Sequence, residues 1–86
     1  MEFEFDPMKS DSNMDKHGID FHRAQALWED LDLMVIPAHT TDEVRSLAIG
    51  IIESLHWSAI FTLRNGRIRL ISVRRSRREE IELYES

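Results

Sequence analysis

Asn65-Gly66, set between two β-rich runs, constrains the fold of this 86-residue chain more than any other feature. A type I′ turn needs positive φ at both central residues, and Asn-Gly is a pair that adopts it readily. Residues 56–64 and 67–73 are therefore predicted to form a hairpin with a two-residue loop. Such a loop sets the register, and a register sets which side chains share a face. On one face Arg64 should oppose Arg67, Thr62 Arg69, Ile60 Ile71 and Ser58 Val73. On the other, Leu63 should meet Ile68, Phe61 Leu70, Ala59 Ser72 and Trp57 Arg74. The second face is apolar and continuous, which marks it as the core side; the first carries three arginines toward its tip.

The rest of the chain supplies cover for that hairpin. Residues 2–5 (EFEF) alternate as a short opening strand. Asp6-Pro7 then places an N-cap before a proline at the first helical position, where its missing N–H leaves nothing unsatisfied. A helix is predicted over Pro7–His17, ending at Gly18 as the C′ residue. A second helix starts at Asp20 and runs to residue 29, burying Phe21, Ala24, Leu27 and Trp28. Strands follow over 31–37 and 44–53, separated by turn residues 39–42, with Gly50 expected at a bulge. A short helix carrying Arg77, Glu80, Ile81 and Tyr84 ends the chain. The expected fold is α+β, condensed as β-α-α-β-β-β-α, a single domain over residues 1–86 with an antiparallel sheet packed by helices.

The net charge of −5 hides a separation of charge along the chain. Residues 1–53 hold twelve acids against four Lys or Arg; residues 54–78 hold seven Arg and no acid; residues 79–86 add four Glu. Local fields, not averages, decide where phosphates bind, and the Arg fork suits phosphate oxygens. Like charges directly opposite on a sheet repel by roughly 0.2–1 kcal/mol at an exposed site. The Arg64–Arg67 pair is thus expected to await anionic charge from outside, unless acids elsewhere in the fold neutralise it. The absence of cysteine excludes disulfides, thiolate catalysis and sulfur-ligated zinc. No His pair has ligand spacing with a third partner, and no Gly-rich phosphate loop is present, so neither a metal site nor another cofactor is expected. No apolar run approaches the roughly 20 residues of a membrane span. The acidic start lacks a basic n-region, and a cytoplasmic protein is expected.

Three blocks together resemble one family. EFDPMKSDSNMDKHG (4–18) is similar to the opening of BrnT toxins, whose first helix ends in Asn-x-x-Lys-His-Gly. IDFHRAQALWEDLDLMVIP (19–37) resembles their second helix and following strand. RNGRIRLISVRRSRREEIELY (64–84) resembles their Ile-Ser-x-Arg-Arg-x-x-Arg-Glu ending. The resemblance implies a RelE-like ribonuclease toxin of a type II toxin–antitoxin system that cleaves RNA and blocks translation. It also implies a BrnA-type antitoxin partner, a complex of two toxins with two antitoxins, and operator DNA contacted only through the antitoxin. Region 40–57 departs from the pattern, so Arg45, Glu53 and His56 receive no role; His39 is likewise unplaced.

RNA carries its own nucleophile, so a protein can cleave it without metal by aligning the 2′-OH, offsetting phosphorane charge and assisting proton transfer. The resemblance places such arginines on the sheet and before the last helix. Arg64 and Arg69 are expected on the scissile phosphate, with Arg74 in support. Arg67, Arg75, Arg77, Arg78 and Lys16 are expected on flanking phosphates. The register sets Arg74 on the core face beside Trp57, and two readings stay open: a bulge redirects it, or it stacks on the indole. His17 is either a proton-transfer group or a helix C-cap. A non-catalytic module that binds RNA or an acidic protein through the same face is the alternative function.

Overall fold

The structure, a computed structural model, describes residues 1–38 and 43–86. The turn expected at 39–42, with His39, lies outside them. Strand β1 (Phe3–Glu4) leads into helix α1 (Pro7–His17), whose start and end follow the local chemistry. The Asp6 carboxylate accepts from the Met8 N–H at 2.9 Å, and Gly18, at φ +76°, donates its N–H to the Met14 carbonyl. Helix α2 (Phe21–Ala24) is capped by Asp20 and tightens into a 3-10 helix over Gln25–Glu29. The expected continuous helix is thus split, and the apolar spacing explains why. Phe21, Ala24 and Leu27 recur every third residue, the 3-10 period, and all three are fully buried.

Four strands then follow: β2 (Met34–Ala38), β3 (Arg45–Ile52), β4 (Leu55–Arg64) and β5 (Arg67–Arg75), closed by α3 (Arg78–Glu85). The chain is α+β, and the four strands after the helices match the strand-by-strand expectation, one more than the condensed order counts. Strand β2 starts later than expected. Asp30 folds the chain back first, its carboxylate accepting from Asp32 N–H and its carbonyl from Leu33 N–H.

The sheet order is β1-β5-β4-β3-β2, antiparallel except that β1 runs parallel to β5. Gly50 is not at a bulge; it pairs regularly with Trp57. A Cβ there would lie 2.9 Å from methyl carbons of both Leu27 and Leu33, so the glycine lets the 3-10 segment sit against β3. Glu53 and Ser54, both at positive φ, turn β3 into β4 as a second two-residue hairpin, at the break expected between the strands over 44–53 and 56–64.

One sheet face packs under α1, α2 and the 3-10 helix, with Ala48, Trp57, Ala59, Phe61, Ile68, Leu70 and Val73 in the core. Trp28 joins the layers, its ring edge-on to Phe3 and to Phe61, each at 5.2 Å between centroids. The opposite face carries Ile49, Ser58 and Arg74, and α3 crosses one end of it through Glu80.

Candidate nucleic-acid interface

From the Asn65-Gly66 turn the hairpin pairs as expected as far as Phe61–Leu70. Beyond that, one extra residue, Ile71, enters β5, and the register shifts: Ile60 meets Ser72, Ala59 Val73, Ser58 Arg74 and Trp57 Arg75. This bulge corrects the expected pairs Ile60–Ile71, Ser58–Val73, Ala59–Ser72 and Trp57–Arg74. A one-residue slip exchanges faces. Of the two readings for Arg74, redirection therefore stands; Arg75 takes the indole, its guanidinium carbon 5.6 Å from the Trp57 ring centre.

Asn13, a buried side chain on α1, holds the strand just past the slip. Its Nδ2 donates to the carbonyls of Val73 and Ile19 at 2.8 Å each, and its Oδ1 accepts from the Val73 N–H at 3.1 Å. A side-chain amide thus takes the place of a neighbouring strand at the one point where β5 has outrun two-residue β1. All four groups are buried from water, so each unmade bond would leave a costly orphan.

The arginines do not stand alone. Strand β1 sets Glu4 opposite Arg69, and the two pair at 2.9 Å; Glu2 lies 3.3 Å from Arg67 at a more exposed position. The expected uncompensated cluster is thus partly neutralised from within, through a parallel strand that the hairpin register does not disclose. Arg64 makes no ion pair among the described residues. Arg74 is held bidentately by Glu80, at 2.8 Å through both terminal nitrogens. Glu80 also accepts from Ser58 Oγ and from the Arg77 N–H. Hydrogen bonding to Arg74 outweighs burial and holds the Glu80 carboxyl down at about 2, and the same pairing raises Arg74. Arg74 therefore ties α3 to the sheet. Arg78 pairs weakly with Glu82 across one helical turn, and the Arg77 side chain has no ion pair among the described residues.

A different set of cations borders the free edge of β5. Lys9, Ser12, Asn13, Lys16 and His17 of α1 line a groove of about 180 Å³ against Ile71 and Ser72. Gly18, not His17, caps the helix, which leaves the imidazole for the groove. Lys9, Lys16 and His17 make no ion pair among the described residues. Lys9 and Ser12 escaped the sequence reading, although the spacing 9, 12, 16 already put them on one helix face. Arg67 and Ser72 are five steps apart along the strand, roughly 16 Å at the usual rise. Along β5, Arg69 lies between the Arg64–Arg67 pair at the turn and the groove wall at Ser72.

The far end of the molecule is built for closure. Tyr84 donates to Asp30 at 2.5 Å, and this bond, with burial, pushes the phenol up to about 12. Burial would raise Asp30, but hydrogen bonds from Tyr84 and from the Asp32 and Ile51 N–H groups lower it instead. His56 pairs with Glu85 at 2.7 Å and packs edge-on to Tyr84. The hollow there is lined by Glu29, Asp30, Asp32 and Glu53 beside a single Arg23, a field that repels phosphates.

Comparison with curated proteins finds no match. The family profile described as the ribonuclease toxin, BrnT, of type II toxin–antitoxin systems matches residues 5–80. That span runs from the start of α1 through both sets of cations to the carboxylate that holds Arg74. The chain belongs to the BrnT family of ribonuclease toxins.

Proposed function

We propose that this toxin cleaves RNA without metal, by attack of a 2′-OH on the adjacent phosphate, and so inhibits translation in the cytoplasm until a BrnA-type antitoxin covers it. The observation that supports this most is the line of cationic groups along β5, with His17 at one end and Arg64 at the other. In the reaction the 2′-oxygen bonds to phosphorus and the bond to the 5′-oxygen breaks. The 2′-OH proton passes to His17, and the departing 5′-oxygen takes a proton from water. Arg69 offsets charge on the phosphorane; Glu4 engages only one of its five donors and so orients the rest. Arg64 and Arg67 hold a flanking phosphate on one side, and Arg75, Arg77 and Arg78 the other. Arg74 supports the site by fixing α3.

Type II membership implies an antitoxin protein. A complex with two copies of each chain, contacting operator DNA only through the antitoxin, fits that reading. The test is cleavage of a defined RNA by the purified chain in excess EDTA, with product ends mapped. Products ending in a 2′,3′-cyclic phosphate and a 5′-OH are expected. Cleavage that requires a divalent cation and leaves a 5′-phosphate would overturn the mechanism. Binding of RNA with no cleavage under either condition would favour the non-catalytic module.

A further inference from the structure

We propose that the groove between α1 and the bulge of β5 binds the phosphate that is cut, with Lys9 and Lys16 as its cationic contacts and Ser12 and Ser72 as hydroxyl donors. This rests on the ribonuclease reading, and it moves the centre of the site from the hairpin arginines to the α1 groove, of which the sequence marked only Lys16 and His17.

Three independent features meet there. The first is uncommitted charge. Arg67, Arg69, Arg74 and Arg78 each face a carboxylate, whereas Lys9 and Lys16 face none among the described residues. A phosphate entering the groove displaces no internal acid. The second is shape. At about 180 Å³ the groove is smaller than the roughly 300–1,000 Å³ of small-molecule pockets, and suits a phosphate group with part of its sugar rather than a free metabolite. The third is rigidity. Asn13 bonds β5 on both sides of Val73 and also the Ile19 carbonyl, so the α1 face and the bulge are held at one spacing. Ile71, lacking a partner in β4, belongs to the groove wall rather than to the ladder. Preorganised donors are what charge developing on a phosphorane requires, because nothing need reorganise as the reaction proceeds. His17 lines the same groove, which brings a proton acceptor beside the bound phosphate.

The experiment uses the full chain and an uncleavable probe, a four-residue 2′-deoxy oligonucleotide, followed by NMR. Saturable shifts at the His17 ring and the Ser72 amide are expected. Lys9→Gln and Lys16→Gln should each weaken binding about tenfold, as for a charge-assisted hydrogen bond. Both residues are solvent-facing on α1, so the variants should keep the parent melting temperature. Parental binding by both lysine variants overturns the groove, wherever the shifts fall. The ribonuclease reading is scored separately, by cleavage of the matching ribo-oligonucleotide. Cleavage at the parent rate by both variants would leave a ribonuclease without this groove. Weakened binding by the variants, with no RNA cleaved by the parent, would leave the groove without the ribonuclease.

Discussion

Arg74 and Lys16 carry the same charge and belong to opposite kinds of place. Arg74 meets both oxygens of Glu80 and stitches α3 to the sheet, with only 22% of its side chain exposed. Lys16 ends α1 beside an open groove and meets no carboxylate among the described residues. The first set of cations, with Arg69 and Arg67, is balanced by Glu4 of β1, Glu2 just before it and Glu80 of α3. The second, with Lys9 and His17, is left unbalanced. Basic residues that resemble one another in sequence thus divide into those that face an acid within the fold and those that face none among the described residues. The division follows which acids the topology brings near, not the residue type.

The comparison breaks most visibly at Glu80. Replacing it with alanine leaves Arg74 partly buried without a partner and strips Ser58 and the Arg77 N–H of their acceptor. A loss of about 3 kcal/mol is expected, which for a domain this size lowers the melting temperature by roughly 10–20 °C. Because the folded-state pKa is depressed from 4.5 to about 2, this stability is present above pH 4.5. It is lost as pH falls toward 2. Glu80→Gln should remove that acid-limb dependence, as urea melts at a series of pH values would reveal. A parent-like acid limb in Glu80→Gln would place the charge balance elsewhere.

His17→Ala probes the unbalanced set. Cleavage should fall by about a hundredfold or more, the usual contribution of a positioned proton-transfer group, with RNA affinity nearly unchanged. Equal losses in affinity and rate would make His17 a binding residue only.

Asn13→Ala joins the two sets. Its three hydrogen bonds vanish and the Val73 and Ile19 groups lose their partner, so about 2 kcal/mol of stability should go. Calorimetry reads that loss. Hydrogen exchange should show the Val73 amide opening first.

The Asn13 contact also marks the limit of what the sequence could disclose. The hairpin register was legible from its turn as far as Phe61–Leu70, since a two-residue loop leaves no freedom. The bulge after it was not, because the side chain that holds the shifted strand lies on a helix sixty residues upstream. The pairing of Glu4 with Arg69 was hidden for a similar reason: a parallel strand brings together the two ends of the chain. Glu53 and Ser54 turn without Gly, Asn or Asp, so no local signal announced that hairpin. The caps at Asp6, Gly18 and Asp20 were legible in full because each depends on residues within one turn. In the α1 groove, Lys16 and His17 were named from the sequence, but the wall they face at Ile71 and Ser72 was visible only once the strands had folded.

The smallest effect belongs to Arg64→Ala. Arg64 faces Arg67 across the ladder and has no ion pair among the described residues, so its removal relieves a repulsion of roughly 0.2–1 kcal/mol. The variant should melt at or slightly above the parent temperature. A clear fall would assign Arg64 an internal acidic partner and move it into the balanced set.

The division between balanced and unbalanced cations is tested most directly by the salt dependence of binding to the uncleavable oligonucleotide. Each phosphate contact on a single strand contributes about 0.7 to the slope of log affinity against log salt. Lys16→Gln should flatten the slope by about that amount, and Glu4→Gln, which frees Arg69, should steepen it. An unchanged slope in Lys16→Gln would contradict the assignment of the α1 cations to RNA.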